Sequence, residues 1–438
     1  MPETIFALSS GSVPSGVAVI RISGPKVRFG LETLVGFVPA ARHASLCVIR
    51  NDEGVVLDKG LALYFPGPNS FTGEDVAELQ IHGSPAAVQA VLSALGQLAG
   101  YRAAERGEFT RQAFANGKMD LTEVEGLADL LVAETEAQRR QALSQVGGGL
   151  RALYQDWAKR LTHARAMIEA ELDFSDEDDI PGSVSDRIWS DMKALLEDIR
   201  NHLAKASYGE IVRTGFKVAL IGPPNAGKSS LLNCLAGRDV AIVADTPGTT
   251  RDVVEVRLDL NGYLVTVQDT AGLRDDSDDA VELEGMRRSR MVAENADLVL
   301  DLRDVTTADP DESRIGAMSI RVWTKIDRLP ASKPAIQQDI GISSKTGDGI
   351  DSLISAILDR IVAKQSNMSE VVPSRGRHVA LLQSACSELD TAVGSGNVPI
   401  EVRAEYLRRA ADDIGRITGK VDVEDLLGVI FSEFCVGK

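Results

Sequence analysis

The chain has 438 residues, enough for about two to four domains, and its 44% hydrophobic and 25% charged residues are ordinary for a globular protein. No apolar run is long enough to span a bilayer, and the first residues lack a secretory signal, so we expect no membrane insertion and a cytoplasmic location. The net charge of −17 excludes a broad electrostatic attraction to nucleic acid, so any RNA contact needs a local basic patch or a partner. The four cysteines show neither disulfide nor metal-ligand spacing, as is typical of a reducing compartment.

Residues 1–118 mix short strand-like runs with turn signals. The runs 17–22, 60–65 and 76–81 predict strands, and the apolar spacing of 85–98 predicts one helix. This mixture indicates an α+β domain at the start of the chain.

Helical spacing dominates two later stretches, 119–213 and 369–438. In the first, Leu121, Val124, Leu127 and Leu131 recur at three- and four-residue intervals. We expect the two stretches to pack into one helical domain, with an insertion between them. Three successive glycines at 147–149 predict a kink or break within the first stretch.

A phosphate-binding loop follows the apolar run 217–221. The sequence GPPNAGKS at 222–229 fits G-x-x-x-x-G-K-[ST], in which backbone N–H groups and a helix N-terminus surround phosphate oxygens. Lys228 is predicted to contact the β- and γ-phosphates, and the Ser229 hydroxyl to hold Mg²⁺. The predicted nucleotide contacts of this loop are Asn225, Ala226, Gly227, Lys228, Ser229 and Ser230.

Three further signals come in the order typical of GTPases, each after an apolar strand-like run. The second of them contains Asp327, whose carboxylate is predicted to be buried and to accept hydrogen bonds from the N1–H and 2-amino group of guanine, a donor pair that adenine lacks. The three signals are Asp269-Thr270-Ala271-Gly272, Thr324-Lys325-Ile326-Asp327 and Ser343-Ser344-Lys345. Together with the phosphate loop they predict a GTPase domain over 214–368.

Two residues depart from common GTPase patterns. Leu273 stands where small regulatory GTPases carry a glutamine that orients the attacking water. Either a carboxylate of the acidic stretch 275–284 takes over that role, or the domain is a slow timer that needs an outside activator. Thr324 replaces the usual asparagine that tethers the phosphate loop, so we expect a somewhat lower nucleotide affinity.

The chain resembles the MnmE (TrmE) family of tRNA modification GTPases over its whole length. Outside the GTPase signals, the resemblance is carried by residues 19–24, PGPNSFTGEDVAELQIHG at 66–83, GEFTRQAFANGKMDL at 107–121 and the C-terminal FCVGK. It implies a multidomain α/β fold in which a P-loop GTPase domain, with a doubly wound and mostly parallel sheet, is inserted in an all-α helical domain. The implied domains are a folate-binding, dimerising α+β domain (1–118), a helical domain in two segments (119–213 and 369–438) and the GTPase domain (214–368).

The resemblance also implies a chemistry. With a flavoprotein partner of the MnmG (GidA) type, which carries FAD, such homodimers modify C5 of the wobble uridine, position 34, of certain tRNAs to a carboxymethylaminomethyl or aminomethyl-type group. The one-carbon unit comes from a tetrahydrofolate derivative, 5,10-methylene or 5-formyl, and GTP hydrolysis is stimulated by K⁺.

The family roles carry over to numbered positions of this chain. K⁺ ligands are implied at Asn225, Ala244, Thr246 and Thr249, and Mg²⁺ ligands at Ser229 and Thr250. Glu282 matches the catalytic glutamate, and the folate-site positions are Arg21, Glu78, Lys118 and Lys438.

Two other functions compete with tRNA modification. The first is a GTP-switched assembly factor for ribosomes, without one-carbon chemistry. Such a factor would share the GTPase signals, so only the N- and C-terminal motifs favour tRNA modification over it. A folate-binding scaffold with a decayed GTPase is opposed by the intact Lys228, Ser229, Asp269 and Asp327.

Overall fold

The computed structural model describes residues 3–173, 183–242, 254–269, 292–307, 319–329, 339–363, 371–394, 398–421, 427–428, 430–431 and 434–437. The chain forms two compact units, the first made of Met1–Ala128, Gln145–Ala158 and Ile414–Lys438, the second of Asp129–Ser144 and Lys159–Asp413. The predicted domain boundaries at 118, 213 and 368 stay predictions. Among the described residues, no helix combines the length and apolar character needed to cross a membrane.

A six-stranded sheet forms the core of the first unit. Its strands are β1 (Thr4–Leu8), β2 (Ser15–Ser23), β3 (Ser45–Arg50), β4 (Val56–Phe65), β5 (Val76–Gly83) and β6 (Tyr101–Ala103). Their order is β3-β4-β5-β2-β1-β6, and only the β1–β6 pair is parallel. Helices α1 (Val27–Val35) and α2 (Pro85–Gly96) contribute buried apolar side chains to the same core. The predicted strands in β2, β4 and β5 and the helix from residue 85 are confirmed.

Helix α2 begins where its sequence predicts. The Ser84 hydroxyl accepts a hydrogen bond from the Ala87 N–H at 3.1 Å, and Pro85 occupies the first helical position. A serine cap satisfies a backbone donor that the helix leaves free, and proline there loses no needed donor.

The C-terminal residues lie on the first unit, beside the start of the chain. Phe431 and Phe434 pack with Leu121 and Val124, and the Ser9 hydroxyl donates to the Gly437 carbonyl at 2.7 Å. Gly437 has φ +108°, and a Cβ there would stand 2.2 Å from the Leu8 carbonyl oxygen. The glycine of the C-terminal motif is therefore required by a close backbone approach.

Reciprocal capping fixes the start of α4 (Leu121–Val132). The Asp120 N–H donates to Glu123 Oε2 at 2.7 Å, and the Glu123 N–H donates to Asp120 Oδ1 at 3.0 Å. Each carboxylate thus accepts a hydrogen bond from the other residue's backbone N–H, and two donors at the start of the helix are satisfied at once. Arg151 also donates to Glu123, at 2.9 Å, and so joins α4 to a later helix.

The glycine run at 147–149 breaks the helical stretch, as predicted. Helix α5 spans Glu136–Val146 and α6 spans Gly149–Asp173, with Gly148 at φ +80° between them. This left-handed conformation ends a helix at little cost only for glycine.

The second unit contains a mostly parallel sheet, as predicted for the GTPase domain. Its strands are β7 (Phe216–Ile221), β8 (Val254–Leu260), β9 (Tyr263–Asp269), β10 (Leu298–Asp304), β11 (Ser319–Thr324) and β12 (Ile340–Gly341). The order is β12-β11-β10-β7-β9-β8, and every neighbouring pair is parallel except β8–β9. The described helices of this unit include α7 (Ser183–Leu203), α8 (Ala206–Thr214), α9 (Lys228–Ala236), α10 (Ile350–Val362) and α11 (Gly376–Gly394). Most of α12 (Ile400–Thr418) also belongs to it, since the division falls after Asp413.

The β8–β9 hairpin meets the start of α5 within the second unit. Asn261 and Gly262 form its turn, both with positive φ (53° and 87°), as a tight hairpin requires. The Gly262 carbonyl accepts from the Ala137 N–H at 3.0 Å, and Arg257 donates to Glu134 at 2.6 Å. The hairpin thus satisfies a backbone donor at the N-terminus of the helix.

Candidate functional site

The loop 222–227 joins β7 to α9 through strained backbone. Gly222 has φ +143°, and a Cβ there would stand 2.3 Å from the Leu302 carbonyl oxygen, while Gly227 has φ +96°. Asn225 adopts φ +62°, although it is not a glycine. Gly222 is required because a side chain there would clash with β10, and Gly227 is required because of its positive φ. The resulting turn leads into a helix N-terminus, the arrangement that binds phosphate oxygens.

Lys228, the first residue of α9, lies mostly buried beside this loop. Its ammonium donates to the carbonyls of Gly222 at 2.8 Å and Pro223 at 3.1 Å. Burial lowers the pKa of Lys228, and the nearby charge of Asp269 offsets part of that shift. The ammonium is therefore held at the loop, where the motif places the phosphates.

A serine and a carboxylate meet at the end of β9. The Ser229 hydroxyl donates to Asp269 Oδ2 at 3.0 Å, and Asp269 is only 3% exposed. Hydroxyl and carboxylate oxygens are ligands that Mg²⁺ prefers. These two side chains fit a magnesium ion, which Ser229 would hold directly and Asp269 would hold through water.

Thr324, at the end of β11, ties the base-reading segment to the phosphate loop. Its hydroxyl lies 2.7 Å from the Ala226 carbonyl and 3.2 Å from the Arg303 carbonyl, so the single proton serves the Ala226 contact first. The expectation of a lower nucleotide affinity assumed that this tether was lost with the usual asparagine. The tether is present and is made by a shorter side chain, while the affinity itself stays a prediction.

Lys325 and Asp327 follow on the same segment. Lys325 donates to the Asn225 carbonyl at 2.9 Å, and Asp327 Oδ1 accepts from the buried Ser343 hydroxyl at 2.7 Å. Asp327 itself is exposed, so the prediction of a buried carboxylate is wrong for this structure, because the residue lies on a single 3₁₀ turn, Ile326–Arg328, at the surface. The selection for guanine that the motif predicts therefore requires that the bound base itself shield this carboxylate from water.

The Ser343-Ser344-Lys345 loop provides the hydrogen-bond donor for the Asp327 carboxylate. The backbone N–H groups of Lys345 and Thr346 donate to the Ser343 hydroxyl oxygen at 3.3 and 3.2 Å. The hydroxyl can therefore direct its own proton toward Asp327. Ser344 is half-buried and Lys345 is exposed.

The candidate folate residues lie on the first unit. Arg21 on β2 faces Glu78 on β5 in register, and its Nη2 and Nε lie 2.9 and 3.1 Å from Glu78 Oε1. The guanidinium also lies over Phe71 and Phe109, 5.3 and 5.8 Å from the ring centroids. Lys118 is exposed in the turn after α3 (Glu108–Ala115). Sequence reasoning named Arg21 and Glu78 separately and did not predict that they pair with each other.

The remaining predicted site residues lie outside the described residues, and their roles stay predictions. They are Ala244, Thr246, Thr249, Thr250, Thr270, Ala271, Gly272, Glu282 and Lys438.

The phosphate loop after β7, Asp269 at the end of β9 and the segment after β11 make this a P-loop GTPase. Family models match the chain as "MnmE helical domain" over residues 121–435 and as "GTP-binding protein TrmE N-terminus" over residues 4–118. The chain is similar to the tRNA modification GTPase MnmE of Rhizobium johnstonii, with 56% identity over 100% of this chain and 99% of that protein. It is also similar to the protein of the same name from Brucella anthropi, with 52% identity over 100% of this chain and 99% of that protein.

This chain therefore belongs to the tRNA modification GTPase MnmE family. Among solved structures, the G domain of the T. maritima FeoB iron transporter is 27% identical, covering 33% of this chain and 98% of that chain with a TM-score of 0.25. The family assignment rests on the sequence relatives and the family models.

Proposed function

We propose that this chain is a K⁺-stimulated GTP hydrolase that works with a flavoprotein partner of the MnmG type. Together they modify C5 of the wobble uridine in certain tRNAs, with a one-carbon unit from tetrahydrofolate and FAD in the partner. The chain acts in the cytoplasm as a homodimer. Family membership over the full length supports the proposal, and the phosphate loop with Asn225 in its left-handed conformation is the observation that carries it.

Potassium stimulation rests on the chemistry of Asn225. Its amide oxygen is an uncharged ligand beside the phosphate loop, suited to a monovalent cation, with Ala244, Thr246 and Thr249 as further ligands. A bound potassium ion supplies the positive charge that an arginine finger supplies in other GTPases, a contribution of roughly 10³ to 10⁵ in rate. The Lys325 ammonium donates a hydrogen bond to the Asn225 carbonyl at 2.9 Å, which helps to hold the backbone of Asn225 in place.

Hydrolysis also needs a magnesium site and a group that polarises water. Ser229 and Thr250 hold Mg²⁺, with Asp269 in the second layer, a role that the 3.0 Å contact between Ser229 and Asp269 supports. Small regulatory GTPases use a glutamine to orient the attacking water, and this chain has Leu273 at that position. Glu282 polarises the water instead.

The N-terminal sheet binds the folate. Arg21 and Glu78 offer adjacent donors and acceptors for a pterin, and the flanking rings of Phe71 and Phe109 restrict the guanidinium. Lys118 and Lys438 add positive charge for the tail carboxylates. A tetrahydrofolate derivative, 5,10-methylene or 5-formyl, supplies the one-carbon unit when it is bound.

Reconstitution tests the whole proposal. The full chain is incubated with an MnmG-type partner, unmodified tRNA, GTP, KCl, a tetrahydrofolate derivative and glycine, and the tRNA nucleosides are analysed by mass spectrometry. We expect a C5-modified uridine in the complete mixture and none when GTP, folate or partner is omitted. The Rhizobium johnstonii relative serves as the control. If the relative yields product while this chain hydrolyses GTP and yields none, the proposal is wrong and the assembly-factor function gains support.

A further inference from the structure

Asp304 occupies a position that no GTPase motif singled out. It is the last residue of β10, which pairs with β7 on one side and β11 on the other. Its register partner on β11 is Thr324. The carboxylate therefore stands between the phosphate loop after β7 and the base-reading segment after β11.

The two oxygens of Asp304 have separate partners. Oδ1 accepts from the N–H and the hydroxyl of Thr306 at 2.9 and 2.7 Å, which closes a turn at the strand end. Oδ2 accepts from the Lys325 ammonium at 2.6 Å. Burial alone would raise the pKa of Asp304, but the hydrogen bonds from Lys325 and Thr306 outweigh it and bring the pKa to about 2. The carboxylate is thus charged at neutral pH, and its charge faces Lys325.

Lys325 transmits this contact to the phosphate loop. The same ammonium donates to the Asn225 carbonyl at 2.9 Å. Lys325 and Asn225 both have left-handed backbone, with φ of 59° and 62°, which residues other than glycine rarely adopt. Surrounding contacts must hold such conformations in place. The Lys325 ammonium, held by Asp304, thus links the strained residue Lys325 directly to the strained residue Asn225.

We propose that Asp304 is a positioning residue of the GTPase site, which holds the Lys325 ammonium on the Asn225 carbonyl and thereby fixes the Asn225 side chain for its cation. The part that concerns the cation rests on the proposed potassium role of Asn225. The part that concerns Lys325 stands on the contacts between these three residues and predicts an effect on nucleotide binding as well.

The substitution Asp304→Asn separates positioning from local structure. The amide oxygen can still accept both hydrogen bonds from Thr306, so the turn at the end of β10 is kept. The amide N–H₂ group then faces the Lys325 ammonium, where a donor meets a donor and the attraction is lost. Asp351→Asn is the matched control, because Asp351 is an exposed carboxylate of the same unit that pairs with Arg238, away from the loop.

The experiment measures GTP turnover by the full chain as a function of KCl and GTP concentration, together with the affinity for a fluorescent GDP analogue. We expect Asp304→Asn to raise the half-activating K⁺ concentration and the KM for GTP by about three- to tenfold, the usual weight of one net hydrogen bond in a partly exposed ion pair. The kcat at saturating K⁺ and GTP should stay within about twofold of the original chain. Asp351→Asn should change none of these values.

A second variant, Lys325→Met, keeps the inference testable if Asp304→Asn unfolds. It removes the ammonium and should raise the half-activating K⁺ concentration at least as much. Combining the two substitutions should then add little to the loss of GDP-analogue affinity caused by Lys325→Met alone, because both break one chain of contacts.

Several outcomes would overturn the inference. If a folded Asp304→Asn keeps the original half-activating K⁺ concentration and KM, or lowers kcat alone, Asp304 does not position Asn225. An unchanged K⁺ response in Lys325→Met has the same meaning. Equal turnover of the original chain in K⁺ and Na⁺ would instead refute the proposed potassium role, and the GDP-analogue affinities would then decide the Lys325 part by themselves.

Discussion

The nucleotide site of the second unit and the Arg21–Glu78 pair of the first fix their side chains by different means. In the nucleotide site, the loop residues Asn225 and Lys325 both have strained backbone, and the Lys325 ammonium donates a hydrogen bond to the Asn225 carbonyl. The Arg21–Glu78 pair needs no strained residue, since sheet register alone places the two side chains opposite each other. Substitutions in the loops should therefore disturb several contacts, whereas those on the sheet should act locally.

The largest effect should come from Asp327→Asn. The substituted amide offers a donor where guanine also presents one, so we expect GTP affinity to fall by about 10² or more and xanthine nucleotides to gain. Competition binding with GTP and XTP measures both changes. Asp359→Asn, an exposed carboxylate on α10, is the control. Unchanged GTP affinity in Asp327→Asn would overturn the assignment of the base-reading segment.

Glu282→Ala should affect catalysis rather than binding. We expect GTP affinity to stay the same and hydrolysis to fall more than about tenfold, because the carboxylate proposed to polarise the attacking water is removed. Binding of a fluorescent GTP analogue and single-turnover hydrolysis distinguish the two. Equal losses of both would assign Glu282 a structural role and leave the attacking water without a known partner.

On the sheet, Arg21→Ala should weaken tetrahydrofolate binding about tenfold or more and leave GTP turnover unchanged, since charge-assisted hydrogen bonds are lost at one locality. Isothermal calorimetry with a folate derivative measures the first and a GTPase assay the second. Arg21→Lys keeps the charge but loses the planar fork and should lie between. Normal folate affinity in Arg21→Ala would show that this pair is only structural.

The smallest effect should come from Thr324→Val, which removes the hydroxyl tether to Ala226 and keeps the shape. A net hydrogen bond contributes about 1 kcal/mol, so GTP affinity should fall about three- to tenfold. Thr324→Ser restores the hydroxyl and should restore most of the affinity. If valine binds GTP as well as threonine does, the loop is held by its other contacts, and the contrast between strained loops and the sheet is weaker than proposed.

Much of the nucleotide site could be predicted because its motifs are short and each follows a strand. Lys228, Ser229 and Asp269 come together since the carboxyl ends of parallel strands meet at one edge of the sheet. The α+β character of the N-terminal region and the helix break at 147–149 also followed from local signals.

Other features depend on distant contacts that no local pattern reveals. The C-terminal Gly437 packs on Leu8 and Ser9, more than four hundred residues earlier, and the hydrogen bond that joins Ser9 and Gly437 spans 428 positions. The pairing of Arg21 with Glu78 depends on strand register, and the position of Asp304 between two loops depends on strand order. The exposure of Asp327 depends on a single turn whose direction the motif does not specify.

The most direct test of the account is GTP turnover by the full chain in KCl and in NaCl at matched ionic strength. We predict strong stimulation by K⁺, and its loss in Asn225→Ala, because the Asn225 side chain would hold the ion that neutralises developing charge. Equal, slow rates in both salts would contradict the proposed role of Asn225 and, with it, the central claim that this phosphate loop works with a potassium ion.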